Sequence, residues 1–455
     1  MDFQKLKNIL SRVGAEYGDL RYEIKKEVQL VFSGRELTQI SSTTTDGYVL
    51  RVLKNGGFSN VVFTKEQDGE KAIRKAEENA LLMARYLDPP VSLAPAEVIR
   101  DTYQPILEED PRSISMEEKL ALTRSYNLRA LEKEKIVTTQ IQYLEVVREK
   151  FFINTEGTQI REDLVTTRLG GTITSQDGGL TQTVRVGTGG SSGFALLRNQ
   201  EALLDDKTAL ALDLLKANPV NGGTYSVILN PDLAGVFAHE AFGHYSEADL
   251  VEDSPSMLEK LRIGNLIGHP NLSIIDDPTL PSQLGFYKYD DEGVPARAVP
   301  LISQGVLSCR LHSRRTSSRF QEPLTGHCVA EDYRYAPIIR MGTIYIKPGA
   351  ATLDDLLAQM GNGLYLADAL GGQTSGENFT FGAEYGRVVK NGRLGEMVRD
   401  INLSGNLYHT LRHIEGFGND LVLSRLGGCG KGQINIRSCH GGPHCLVRGL
   451  IVGGR

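Results

Sequence analysis

Residues 20–64, LRYEIKKEVQLVFSGRELTQISSTTTDGYVLRVLKNGGFSNVVFT, alternate apolar and polar side chains between turn signals. A strand sends successive side chains to opposite faces, so this period of two commits the stretch to a sheet and argues against an amphipathic helix. The turn signals fall at Ser33-Gly34, Asp46-Gly47 and Asn55-Gly56-Gly57, which predicts an antiparallel meander. The same alternation returns over residues 136–187, with Asn154-Thr155-Glu156-Gly157 as a turn and many threonines.

Helical periods flank these runs. Phe3, Leu6, Ile9, Leu10 and Val13 share one helix face, and Gly14 stops the helix. Helices are expected from about Gln67 to Tyr86, from a possible capping box at Ser115 and Glu118 to about Glu134, and near 196–217. The stretch DPPVSLAPAEVIRDTYQPILEEDP holds five of the chain's 17 prolines and reads as a linker or extended arm. From about Gly222 onward, glycines and short strands dominate. The expected class is α+β: an N-terminal unit over 1–88, a proline-rich linker over 89–114, a middle unit over 115–220, and a mostly β domain over 221–455.

Composition narrows the function. At 455 residues, with 50 Lys+Arg against 56 Asp+Glu and a formal net charge of −6, the chain offers no electrostatic case for direct nucleic-acid or membrane binding. No apolar run approaches the roughly 20 residues that cross a bilayer, and the N-terminal stretch lacks the apolar core of a signal peptide, so a cytoplasmic protein is expected. The five cysteines all follow position 300 and do not read as a disulfide framework.

The densest chemistry lies in NPDLAGVFAHEAFGHYSEAD, residues 230–249, which contains His239-Glu240-Ala241-Phe242-Gly243-His244. With nine histidines and 56 acidic residues in the chain, this pattern arises by accident on the order of 0.02 times. TYSVILN reads as a buried strand ahead of it. Asn230-Pro231 then suits an N-cap and first helical position, and Leu233, Val236 and Phe237 make an apolar helix face. On an ideal helix, histidines five apart point about 140° from each other, so the helix must end or bulge for both to serve one ion, and Gly243 is the place for it. Otherwise the two are unrelated, one satisfied in a core and one at a helix end.

A zinc that does chemistry takes three protein ligands. For the third, the residues leave open Glu247, Asp249 or a thiolate from the tail GGCGKGQINIRSCHGGPHCLVRG, where Cys429 lies between glycines. Cys439, His440, His444 and Cys445 form a further cluster that reads as a surface loop or as a separate structural zinc site. GTGGSSG at 187–193 reads as a flexible turn and not a phosphate loop, and Asp290-Asp291-Glu292 as a turn or a buried structural or substrate-facing group.

These blocks together, with DDEGVPARAVPLISQGVLSCRLHSRRTSSR (290–319), GGQTSGENFTFGAEYGRVVKNGRL (371–394), GGCGKGQ (427–433), GDLRYEIKK (18–26) and GSSGFALLRN (190–199), resemble the TldD/PmbA family of zinc peptidases across nearly the whole chain. The family has a catalytic TldD type and a PmbA (TldE) type that has lost the histidine motif; this chain keeps it. The resemblance implies Zn2+ held by His239, His244 and Cys429, with Glu240 as the general base. It also implies hydrolysis of flexible or unfolded peptides by metal-activated water, inside a homodimer or a heterodimer with a PmbA (TldE) type paralogue. The alternative is a non-catalytic metal-binding subunit of a heteromeric complex. The tail after Gln433 adds cysteines and histidines that the family pattern does not require.

Overall fold

The computed structural model describes residues 2–454. Helix α1 (Phe3–Leu10) starts on Asp2, whose carboxylate accepts the Gln4 N–H at 3.0 Å, and buries Leu6, Ile9 and Leu10. Strands β1 (Tyr17–Ser33), β2 (Glu36–Lys54) and β3 (Gly57–Phe63) form the predicted antiparallel meander. Two of the three turn signals are turns, and in both the chain takes the left-handed backbone: Gly34 at φ 58°, and Asn55 and Gly56 at 53° and 79°. Asp46-Gly47 is not a turn. It lies inside β2, where Asp46 accepts the Tyr22 hydroxyl at 2.9 Å and a Cβ on Gly47 would stand 2.3 Å from Tyr333 Cδ2. The glycine is there for the ring above it.

Helix α2 (Gly69–Met83) packs on this meander. The proline-rich stretch crosses as an extended arm and supplies β4 (Arg100–Tyr103). Helix α3 (Met116–Leu131) begins at Ser115, which accepts the Glu118 N–H at 3.2 Å; the Glu118 carboxylate turns away to Arg198, so the cap is one-sided. Strands β5 (Ile136–Asn154), β6 (Gln159–Asp177) and β7 (Leu180–Gly190) follow, then α4 (Glu201–Leu214).

Asp19–Ser33 of β1 pair with Gln140–Asn154 of β5, so both alternating runs belong to one seven-stranded sheet, in the order β3-β2-β1-β5-β6-β4 with β7 also on β6. The first four residues of GTGGSSG are the end of β7 and not a flexible turn. Their glycines serve close approach: a Cβ on Gly187 would meet Leu426 Cδ2 at 2.5 Å.

The C-terminal half is mostly strands, as expected. An eight-stranded sheet includes Gly223–Leu229, Gly363–Ser375, Asn378–Lys390 and Cys445–Gly454, and a six-stranded one includes Ile274–Asp276, Thr343–Ile346 and Cys439–Gly442. Helix α5 (Pro231–Phe237) lies between them, with Leu233 and Phe237 buried among Leu229, Ile344, Leu366, Phe379 and Phe381. This is the core that positions the histidine motif.

The seven-stranded sheet meets the C-terminal half through buried charge. Arg51 binds Asp19 at 2.6 Å and Glu292 at 2.8 Å, while Asp291 takes Arg21 at 2.9 Å and Lys150 at 3.1 Å. All of these side chains are at most 6 % exposed. Asp290 accepts the backbone N–H groups of Glu292, Val294 and Cys328. The three acidic residues therefore make a turn that is also a buried bolt between the halves. Removing one partner of a buried ion pair strands the other's charge. Arg51→Leu should lower stability by about 3–5 kcal/mol in urea unfolding. A loss below about 1 kcal/mol would mean that the network relaxes around the gap.

Candidate metal centre

The local sequence builds the site in steps. Asn230 caps α5, its side-chain oxygen accepting the Leu233 N–H at 2.9 Å, with Pro231 at the first position. After Phe237 the chain widens into a π turn over Ala238–Phe242 and tightens into a 3-10 turn over Gly243–Ser246. A π turn bonds residue i to i+5, which closes the angle between residues five apart. The His239 and His244 ring centroids stand 5.2 Å apart, nearly perpendicular. Gly243 lets the turn pass the core, since a Cβ there would sit 2.1 Å from Met341 Sδ.

Cys429 arrives from the tail. Its backbone exchanges N–H···O bonds with Ile436 at 3.2 and 3.1 Å, making a narrow loop that holds the sulfur 3.7 Å from His244 Nε2. One ligand atom from each of His239, His244 and Cys429 lies within 4.8 Å of the others, the one such group of three among the described residues. His239 is buried, and its Nδ1 has no hydrogen-bond partner. Two imidazoles, a thiol and an orphaned buried nitrogen fit a tetrahedral zinc ion.

Glu240 lies beside the donors, 3.8 Å from His244 Nε2. Thr374 Oγ1 donates to its backbone carbonyl, and a Cβ on Gly372 would come 3.3 Å from its Cγ, so one strand grips both ends of the residue. Glu247 stands behind the donors instead of among them. It faces His244 Nδ1 at 3.6 Å and pairs with Arg340 at 3.1 Å and Lys431 at 2.9 Å; Glu247 and Arg340 are fully buried. Asp249 is held by Lys431 at 2.6 Å. An imidazole backed by a carboxylate on its far nitrogen is oriented to present the other nitrogen.

Electrostatics follow from this packing. Burial, then the neighbouring His244, His440 and Arg340, hold the His239 imidazole well below its ordinary range. Burial also pulls His244 down, but the Cys429 sulfur and the Glu247 carboxylate outweigh it and raise it to about 9. Burial raises the Glu240 carboxyl against the opposing pull of His244, His440 and Arg340. Glu247 is lowered, because His244, Arg340 and Lys431 together overcome its desolvation.

The second Cys/His cluster is not a surface loop, and its four side chains do not gather into one donor group among the described residues. Cys439 and Cys445 are fully buried in strands, His444 bonds Asp420 at 2.5 Å and Tyr365 at 3.2 Å, and His440 bonds Asp232 at 3.3 Å. Neighbouring residues on a strand face opposite ways, which scatters the four. His440 instead faces the histidine motif, its ring 6.3 Å from that of His239. Sequence reasoning missed it, along with Arg340 and Thr374, because only tertiary packing brings them here. Lys431 was in plain view beside Cys429 in GGCGKGQ.

Sequence profiles of the PmbA/TldA metallopeptidases match in chain order: domain 1 at residues 18–84, the central domain at 109–219 and the C-terminal domain at 222–454. The chain belongs to the PmbA/TldD family of metallopeptidases. A metalloprotease of Synechocystis sp. is 35% identical over 97% of this chain and 95% of its own length. A zinc metalloprotease TldD homolog of Saccharolobus solfataricus is 31% identical over 97% of each. Among solved structures, TldE from Thermococcus kodakarensis superposes with a TM-score of 0.80 at 16% identity, covering 99% of this chain and 100% of its own. A putative modulator of a DNA gyrase from Thermotoga maritima also reaches 0.80, at 22% identity and 99% of each chain. Both share the fold.

Helix α5 rests on one contact that tolerates no side chain. A Cβ on Gly235 would fall 2.6–2.9 Å from the Gly441 backbone, where nothing can swing aside. Gly235→Ala should therefore destabilise the protein by about 1–3 kcal/mol as a thermal shift and, by tilting α5, lower bound metal per chain by mass spectrometry. Unchanged stability and metal content would show that α5 and the strand can part without moving His239.

Proposed function

We propose that this member of the PmbA/TldD family is a zinc-dependent peptidase of the catalytic type, with His239, His244 and Cys429 as metal ligands and Glu240 as general base. The observation that carries the reading is the convergence of the three donor atoms within 4.8 Å beside a partly exposed, carbonyl-anchored Glu240. A bound zinc would supply Lewis acidity, polarising a peptide carbonyl and acidifying water. The chain's own residues do the rest. Glu240, whose carboxyl is raised by burial, accepts a proton from the attacking water and returns it to the leaving amine. Glu247 orients His244 from behind, and Arg340 and Lys431 keep Glu247 charged. The same carboxylate cannot serve as a ligand while those two cations hold it.

The substrates we propose are flexible or unfolded peptides, which can lie extended along a sheet edge. The working form is a homodimer or a pair with a TldE-type paralogue, a reading supported by the fold shared with TldE. Five free cysteines, one of them in the site, suit a reducing cytoplasmic setting. The fold contains no helix long and apolar enough to cross a membrane among its described residues.

Two variants test the assignment. Glu240→Gln keeps size and hydrogen bonding but removes the base, so zinc content should hold while casein hydrolysis falls by roughly two to four orders of magnitude. Retained activity would assign proton transfer to another group. Cys429→Ala should lose zinc and activity and lower the melting temperature together, because the ion ties the tail to the helix 185 positions earlier. Cys439→Ala and Cys445→Ala should keep one equivalent per chain. Full zinc binding by Cys429→Ser would hand the third position to a different donor.

A further inference from the structure

One face of the seven-stranded sheet carries arginines that have no carboxylate within ion-pair distance among the described residues. In the antiparallel register Arg168 of β6 opposes Gly189 of β7, and Thr172 opposes Arg185, so Arg168, Gly170, Thr172, Arg185 and Gly187 share a face. The loop Leu426–Ser438 closes over that face and encloses a cavity of about 590 Å³. Arg168, Arg185 and Arg437 line it, and Gly427-Gly428 form its wall immediately before Cys429. The cavity thus adjoins the loop that carries Cys429.

Five cations and two acids line this cavity. Lys25 is matched by Glu27 at 3.2 Å and Arg148 by Glu23 at 2.7 Å. Glu331 is occupied by the backbone N–H groups of Ile434 and Asn435. Among the described residues, no carboxylate lies within ion-pair distance of the other three cations. Arg185 reaches only the Ala369 carbonyl, at 3.4 Å. Arg437 donates to the carbonyls of Val165 and Phe286 and to Thr166, while its Nε is buried without a partner. The Arg168 guanidinium has no hydrogen-bond partner among the described residues, and desolvation together with Arg185 lowers it. Arg185 is exposed, whereas Arg168 and Arg437 stand in a partly desolvated space without counter-charges, at a cost that a bound anion would remove.

The size decides what kind of anion. A volume of about 590 Å³ is in the range of a short peptide segment and far larger than a single oxyanion. We infer that this cavity is a specificity pocket that takes a carboxylate-bearing segment of the substrate peptide, bound by Arg168 and Arg185. The inference rests on the peptidase reading. It makes the protein selective for peptides with acidic side chains or a free C-terminus flanking the cleaved bond.

The experiment compares the zinc-loaded full chain on matched short unstructured peptides that differ only in Glu against Gln at successive positions, and in a free against an amidated C-terminus. A charge-assisted hydrogen bond corresponds to roughly a tenfold to hundredfold change in affinity, so one acidic position should raise kcat/KM at least about tenfold, mainly through KM. In Arg168→Gln/Arg185→Gln that ratio should fall to near one, and Arg168→Lys/Arg185→Lys should recover part of it. Zinc content and melting temperature confirm folding of each variant. Equal rates on acidic and neutral peptides, or a preference that survives in the Gln double variant, would overturn the pocket. If the protein cleaves nothing, calorimetry with the same intact peptides separates the two readings: arginine-dependent binding of the acidic peptide keeps the pocket and sinks the peptidase. Arginine-dependent binding of inorganic phosphate with no discrimination between the peptides would overturn the proposal in favour of a small-oxyanion site.

Discussion

The geometry of the candidate metal centre depends on how closely α5 lies against the strand Cys439–Gly442. At Gly235 and Gly441 two backbones touch with no side chain between them. That contact sets the depth of His239, brings His440 against the motif, and fixes where the chain leaves α5 as a π turn. The widened turn then solves the problem posed by five-residue spacing. Residues that an ideal helix would splay are drawn together, and the third donor needs only a narrow loop to reach them.

Around these donors the charges form a relay of orientation. Lys431 follows Cys429 by two positions and salt-bridges both Glu247 and Asp249, so the loop that brings the sulfur also brings the cation that organises the carboxylates. Arg340 does the same from the opposite side with a fully buried guanidinium. The same currency joins the halves of the molecule, where Asp291 and Glu292 meet Arg21, Arg51 and Lys150. Buried ion pairs of this kind specify geometry more than they add stability, because desolvation offsets most of their attraction.

The cavity beneath the Cys429 loop extends this logic to its exception. Elsewhere in the interior nearly every cation has its acid, as Arg51 and Arg148 do. Half-buried Arg168 and exposed Arg185 have none among the described residues, and both border the loop that also carries Cys429. The sheet thus serves as the floor of a charged chamber as well as a scaffold.

Much of this was legible in the chain itself. Period-two alternation specified β1 to β3 and β5 to β7, because the pleat leaves strands no other pattern when one face is covered. The Asn230-Pro231 cap and the His239-Glu240-x-x-x-His244 spacing located helix α5 and demanded a bulge for the histidines to converge, since both are local and follow from helix geometry. Asp46-Gly47 misled for the same reason: a turn dipeptide inside a long strand is explained only by the Tyr333 ring that arrives from far along the chain. For Cys439, His440, His444 and Cys445 the spacing left a surface loop or a structural zinc site open, whereas the fold buries both cysteines and gives the two histidines separate carboxylate partners. What tertiary structure alone decided is which distant groups meet: His440, Arg340 and Lys431 around the donors, and unpaired arginines under the loop. Such meetings depend on how sheets stack and loops close, and no periodicity along a single chain encodes the distance between two of its surfaces.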